Sequence, residues 1–206
     1  MKRAWFVVAV LLFAACKKSE PNPSTNCPAC NCETGVPVDP LLLSFLSRAR
    51  AAHHIADDRE SDDNLTASAE PLERLVTGPL PRVGSADLAP EVREVLADTY
   101  ARLADLHSRQ GAFDRALQDV QQGLEHARDP NYFRGHLLET EGLVEERHAK
   151  ALEKNGDHAG AAVIRKRAIE LLEHAMEVQS GVIEHAPHAP SDGNGTATPT
   201  PAASTK

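Results

Sequence analysis

Leucine, alanine and scattered aromatic residues recur every three or four positions through most of the chain. That spacing is the signature of amphipathic α-helices, and no stretch alternates apolar and polar residues as a half-buried strand would. The sequence therefore predicts an all-α core over residues 41–185, built of six helices, the last two at 132–154 and 157–184. The predicted breaks are an acidic turn at 60–64, Thr77-Gly78-Pro79, Gln110-Gly111, Asp129-Pro130 and Asn155-Gly156.

Particular residues mark where these helices begin and end. Asp39 followed by Pro40 predicts an N-cap and a first turn, because proline suits the first helical position. Gly111 predicts the end of the third helix, since glycine readily adopts the left-handed backbone of a C-terminal cap. Pro71 lies near the expected start of the second helix and leaves that boundary open.

Two of the predicted helix pairs share a pattern of small residues, a turn and an aromatic residue. In the better example these positions are Ala104, Gly111, Phe113, Ala116, Gly123 and Pro130. The pattern resembles the tetratricopeptide repeat, in which small residues let two helices approach closely. It recurs 45 residues later at Ala149, Asn155-Gly156, His158, Ala161 and Ala168, without a closing proline. A plain helical bundle with the same apolar stripes is the alternative.

The resemblance implies a fold and a binding surface. The fold would be antiparallel helical hairpins stacked as a short solenoid of the tetratricopeptide type, with residues 41–78 as a more degenerate first pair. In that family the first helix of each pair lines an inner groove that binds a partner protein or peptide. Carried over by spacing, the groove residues would be Asp98, Ala101, Asp105, Ser108, Leu143, Glu146, Lys150 and Glu153.

Composition separates this core from the two ends of the chain. Nine of the 14 prolines fall in residues 17–40 and 186–206, so neither end is expected to build core. We therefore expect a tether over 16–40 and a disordered tail over 186–206. The formal net charge of −8 argues against nucleic acid as a partner, because binding to phosphate needs a basic surface.

Residues 1–16 have the pattern of an export signal. Met1-Lys2-Arg3 is cationic, and the twelve residues Ala4–Ala15 that follow are uncharged. Twelve helical residues rise about 18 Å, too little to span a hydrocarbon layer of roughly 30 Å. The end of the run, Leu12-Phe13-Ala14-Ala15-Cys16, resembles a bacterial lipobox. The resemblance implies a signal peptide over 1–15 and a covalent lipid anchor on Cys16, with no other cofactor.

The residues after Cys16 indicate which membrane the lipoprotein would reach. Lys17 and Lys18 are not the aspartate that resembles an inner-membrane retention signal, so the periplasmic face of the outer membrane is favoured over the inner membrane. The oligomeric state stays open at this point.

Three further cysteines, Cys27, Cys30 and Cys32, lie in the tether. One local disulfide with one leftover thiol is the simplest interpretation in an oxidising envelope, and the leftover thiol could join two copies. A redox site or a metal site is the alternative, although the segment lacks the flanking strand and helix of a thioredoxin motif and a fourth zinc ligand.

The remaining polar clusters give no catalytic motif. His53 with Asp57 and His54 with Asp58 are spaced by one helical turn, but two ligands seldom hold a metal. The charge runs 145–147 and 165–167 are predicted to be solvated helix faces. The sequence thus favours a membrane-anchored, non-enzymatic module that binds another envelope protein or peptide. An envelope redox or metal-handling protein using the tether cysteines is the second hypothesis.

Overall fold

The computed structural model describes residues 39–82 and 87–186. This part of the chain is all-α, with an isolated antiparallel bridge between Arg82 and Leu88 as its one extended pairing. Its helices are α1 (Pro40–Ser61), α2 (Leu65–Thr77), α3 (Pro90–Arg109), α4 (Phe113–His126), α5 (Tyr132–Lys154) and α6 (His158–Glu184). The predicted signal peptide, the three tether cysteines and residues 187–206 of the predicted tail lie outside the described residues.

The helix ends confirm the residues that were expected to mark them. The Asp39 carboxylate accepts a hydrogen bond from the Leu41 backbone N–H at 2.8 Å, and Pro40 occupies the first turn. Gly111 and Gly156 have φ angles of +80° and +88°. Both therefore sit in the left-handed region that only glycine enters without cost, and each ends the helix before it.

Pro71 does not lie at the start of the second helix, where the sequence pattern placed it. It lies inside α2, which begins six residues earlier at Leu65. A proline in that place has no N–H to donate to the carbonyl four residues before it, that of Ala67. Arg59 of α1 supplies the missing donor, with its Nη1 atom 2.6 Å from the Ala67 oxygen. The neighbouring helix thus satisfies the carbonyl that proline leaves free.

Helix α3 is the centre of the packing. It lies against α1, α2, α4 and α5, whereas α6 packs against α5 alone among the described helices. One apolar cluster joins α1, α2 and α3 around Leu72, Leu96 and Leu103. Two smaller clusters join α3, α4 and α5 around Leu137 and Val144. The core therefore runs as a series of shared interfaces with α3 in the middle.

Small residues set how closely the helices approach. Gly123 of α4 is buried, and a Cβ atom added there would lie 2.5 Å from the Leu137 side chain of α5 and 3.2 Å from Tyr100 Cβ of α3. At the last interface the buried positions of α6 are Ala161, Ala168 and Ala175. Alanine and glycine at these contacts leave room for the neighbouring helix backbone.

We expect Gly123→Ala to lower the free energy of unfolding by about 1–3 kcal/mol, because the added methyl group overpacks the α3–α4–α5 junction. Gly181→Ala is the matched control, since a Cβ atom there meets nothing within 4 Å. Relief of glycine's helix penalty should then raise stability by about 0.5–1 kcal/mol. Urea unfolding followed by circular dichroism measures both. Equal effects of the two substitutions would contradict the close approach at Gly123.

Candidate functional site

Helices α1, α3 and α5 share a surface with an indentation of about 310 Å³. Its lining comes from all three helices and mixes carboxylates, imidazoles and a guanidinium around one alanine. The residues are His53, Asp57, Asp98, Ala101, Arg102, Asp105 and His136. Three of them, Asp98, Ala101 and Asp105, belong to the groove predicted from the sequence.

The α3 residues of this surface follow one line along the helix. Asp98, Arg102, Asp105 and Arg109 are spaced by three or four positions, as one helix face requires. The neighbouring faces of α3 are buried against other helices, and Ala101 is only 2% exposed. The polar line is therefore the edge of α3 that packing leaves open.

Two arginines of α3 are paired with acidic residues of α1. Arg102 contacts Asp57 at 3.1 Å and also contacts Glu60. Arg109 contacts Glu60 as well, and it lies 3.6 Å from Asp105 on its own helix. The Asp57 side chain is exposed, whereas the other four are only partly exposed, and the pairs connect α1 with α3 at the edge of the indentation.

A third arginine comes from α5. Arg147 places Nη2 at 2.7 Å from Asp105 Oδ1 and Nη1 at 2.7 Å from Ser108 Oγ. The Ser108 hydroxyl also donates to the Asp105 carbonyl, and Ser108 is buried. Both predicted groove residues are therefore engaged with α5. They shape the surface rather than offering free hydrogen-bonding groups.

Asp98 stands apart from this network. It makes no hydrogen bond or ion pair among the described residues, and it is half-buried on the wall of the indentation. A partly desolvated carboxylate without a cation is a ready acceptor for a positive or hydrogen-bond-donating group. Asp98 is thus the free anionic position of the surface.

His53 of α1 faces Asp98 across the indentation. The Thr99 hydroxyl donates to the Val95 carbonyl at 2.7 Å, so it accepts from His53 Nε2, which lies 3.1 Å away. The neutral His53 ring therefore carries its proton on Nε2, and its Nδ1 atom is the unprotonated nitrogen. Burial lowers the pKa of His53 below 6.5, against the raising effect of Asp98 and Asp57.

The four groove residues predicted on α5 do not line the indentation. The residue that α5 contributes to the lining is His136. Leu143 is 36% exposed, and Glu153 is bound to Arg165 of α6 at 2.8 Å. Glu146 is bound to Lys150 at 2.7 Å, and this hydrogen bond and charge lower the pKa of Glu146. They lie further along α5 than His136.

One of the charge runs that were predicted to face water is partly buried. Glu145 is 1% exposed and Glu141 is 5% exposed, although Glu145 belongs to a run predicted to face water. Arg167 of α6 reaches both carboxylates, at 3.2 Å and 3.0 Å. The prediction was wrong for Glu145, because a cation on the next helix makes its burial possible.

The histidine pairs do not form metal sites in the described part of the chain. No group of three or more histidine, cysteine or acidic side chains there is placed to hold an ion. Nor is any described helix long and apolar enough to cross a membrane. His53 and Asp57 instead contribute to the indentation, a role that the weak repeat pattern of residues 41–78 did not reveal.

We expect the free energy of unfolding to fall as the pH is lowered from 7.5 to 5.5. The unfolded chain binds a proton at His53 more readily than the folded chain. Protonation of His53 therefore favours unfolding, and the free energy of unfolding falls as the pH drops below 6.5. His126, whose pKa is also lowered by burial, contributes in the same direction. His53→Gln should reduce the pH dependence measured by urea unfolding.

His54→Gln is the matched control, because it removes an exposed imidazole at the adjacent position. If His53→Gln and His54→Gln change the pH dependence equally, His53 does not sit in the partly dry site described above.

The chain matches no protein-family model, no curated protein and no solved structure.

Proposed function

We propose that this chain is a membrane-anchored bacterial lipoprotein whose helical domain is a non-enzymatic protein–protein interaction module. The observation that carries the proposal is the surface shared by α1, α3 and α5, where alternate helices line one indentation. A surface built from every second helix is what a stack of helical hairpins produces. Its polar groups would hold a segment of another envelope protein or a peptide.

The order of helix contacts supports an arrangement of the tetratricopeptide type. Helices pack as consecutive pairs, α1 with α2, α3 with α4 and α5 with α6. The first helices of the pairs also meet in sequence, α1 with α3 and α3 with α5, while α2 packs on α3 and α4 on α5. The small residues of the repeat pattern, such as Ala104, Ala116 and Ala161, lie buried between helices.

The indentation suits a segment that carries a positive group. Asp57, Glu60 and Asp105 are already paired with arginines, so a ligand gains little from displacing those cations. Asp98 has no such partner, and the adjoining Ala101 gives an apolar floor. A lysine or arginine side chain of the partner would pair with Asp98 while its methylene groups cover the alanine.

The proposed anchor rests on the sequence of residues 1–16. Lipid chains on Cys16 would bury many methylene groups at about 0.8 kcal/mol each, enough for stable attachment to a bilayer. The tether then gives the helical domain reach on the periplasmic side of the outer membrane. Confinement near a surface raises the effective concentration, so a shallow groove can still hold its partner.

We expect a photo-crosslinking amino acid at His136, which lines the indentation from α5, to capture one discrete partner in living cells, because it leaves Asp98 in place. The same residue at Gln118, an exposed position on α4, is the matched control and should give no such product. A probe at Leu143, an exposed apolar position further along α5, tests how far the surface extends. Equal products from His136 and Gln118, or none from His136, would contradict the groove.

A charge test links the product to Asp98 itself. With the probe at Leu143, the background substitution Asp98→Lys should reduce capture at least tenfold, on the order of one lost charge-assisted contact. Asp114→Lys makes the same charge change at an exposed site on α4 and should leave capture unchanged.

For the anchor, we expect metabolic labelling with an alkyne fatty acid to modify the chain and to be abolished by Cys16→Ser. Cys27→Ser, the same exchange within the tether, should leave the labelling intact. Label retained in the Cys16→Ser chain would contradict the proposed attachment site.

A further inference from the structure

Two hydrogen-bond acceptors line the indentation from different helices. Asp98 belongs to α3 and His53 to α1. Among the described residues, Asp98 makes no hydrogen bond or ion pair. His53 uses Nε2 to bond Thr99, and burial lowers the pKa of His53, so the ring is neutral at pH 7.5 and Nδ1 keeps its lone pair. Both groups accept, and a matching ligand therefore brings several N–H donors.

The cation that follows Asp98 on its own helix is held elsewhere. Arg102 comes four positions later on α3, a spacing at which two charged side chains can pair. Its guanidinium instead contacts Asp57 of α1 at 3.1 Å and also contacts Glu60. Two carboxylates of the neighbouring helix thus compete with Asp98 for this arginine. The charge of Asp98 is left for a cation from outside the domain.

An aromatic stack borders the same space on α5. His136 lines the indentation, and the Tyr132 ring lies nearly parallel to the His136 ring, with centroids 6.0 Å apart and planes inclined by 10°. Phe133 meets Tyr132 edge-on at a centroid distance of 5.3 Å. Tyr132 is 57% exposed, so the stack is open to solvent. Aromatic faces attract cations, and planar guanidinium groups stack on them.

We propose that the indentation selects an arginine side chain of the partner over a lysine side chain. A guanidinium carries several N–H donors in a planar fork, enough to bond the Asp98 carboxylate and His53 Nδ1 together while one face rests on the His136 ring. A lysine ammonium is a compact, strongly hydrated charge without a flat face. This selection, which rests on the binding role proposed above, identifies the group that the partner presents.

The first test titrates the full 206-residue chain, in a mild detergent at pH 7.5, with three blocked amino acids. N-acetyl-arginine methylamide has both a charge and a plane, the lysine analogue has the charge alone, and the citrulline analogue is planar but neutral. Nuclear magnetic resonance follows the Asp98 amide and His53 Nδ1. The arginine probe should bind with a millimolar dissociation constant, at least fivefold below that of either other probe. A lysine probe that binds as tightly overturns the selection.

The chain's own cations outside the described residues need a separate test. They include one arginine, Arg3, which lies in the predicted signal peptide, and the lysines Lys2, Lys17, Lys18 and Lys206. If a partner supplies the arginine, Arg3→Gln should leave the affinity for the arginine probe unchanged. A several-fold gain in affinity would show that Arg3 competes for the indentation, and would overturn the assignment to a partner.

Variants of the lining residues test each contact separately. Asp98→Asn should weaken binding of the arginine probe at least tenfold, because it removes the charge. His53→Phe should weaken it several-fold, because the ring stays and the Nδ1 acceptor is lost. His136→Leu should weaken the arginine probe more than the lysine probe, since the stacking face favours the guanidinium. Circular dichroism verifies that each variant keeps its helical signal.

Two matched controls make the same exchanges at exposed positions. Asp114→Asn on α4 and His54→Phe on α1 should change neither the affinity for the arginine probe nor its preference over lysine. Equal losses from Asp98→Asn and Asp114→Asn would overturn the site, because arginine would then be responding to the overall acidity of the chain.

These titrations contain no partner protein, so their outcome is separate from that of capture in living cells. A preference for the arginine probe without any captured product would support the arginine site and contradict the proposed interaction module. A captured product without that preference would support the module and overturn the selection of arginine.

Discussion

Burial of α3 is the constraint on which the rest of the structure depends. Half of the residues in α3 are buried, because α1, α2, α4 and α5 all pack against it. His107, itself buried, lies 2.5 Å from Asp119 of α4 and 3.4 Å from Glu73 of α2. Apolar and polar contacts thus converge on one helix, and only a narrow edge of it stays open.

That open edge decides the chemistry of the candidate site. It carries Asp98, Arg102 and Asp105, and the arginines around it come from α3 and α5. Partly exposed ion pairs add little to stability, typically below about 1 kcal/mol each. Their main effect is to orient the side chains of this surface. They pair every acidic residue along the edge except Asp98, and they connect α1, α3 and α5. A surface ordered in this way loses less entropy when it binds a partner.

Helix positions were predictable from sequence because local signals decide them. Apolar periodicity, the Asp39 cap and the glycines at 111 and 156 each act over a few residues, and the predicted bounds 132–154 agree with α5. Of the eight groove residues that the repeat resemblance implied, Asp98, Ala101 and Asp105 line one indentation, and their role as a partner-binding groove stays a prediction.

What sequence could not supply depends on contacts between distant residues. Arg59 makes Pro71 tolerable inside α2, and Arg167 makes the burial of Glu145 possible, yet no local pattern joins either pair. His53 and His136 reach the indentation because three helices cross there. Such roles follow from the packing geometry, which the periodicity of one helix does not contain.

Hydrogen exchange of the full chain, followed by mass spectrometry, tests the central place of α3 most directly. If the other helices depend on α3, its buried segment from Val92 to Leu106 should exchange only through global unfolding and be the slowest part of the domain. Helix α6, held on one side by α5 alone, should exchange sooner. Exchange in α3 as fast as in α6, or protection of α5 and α6 that outlasts it, would contradict this account.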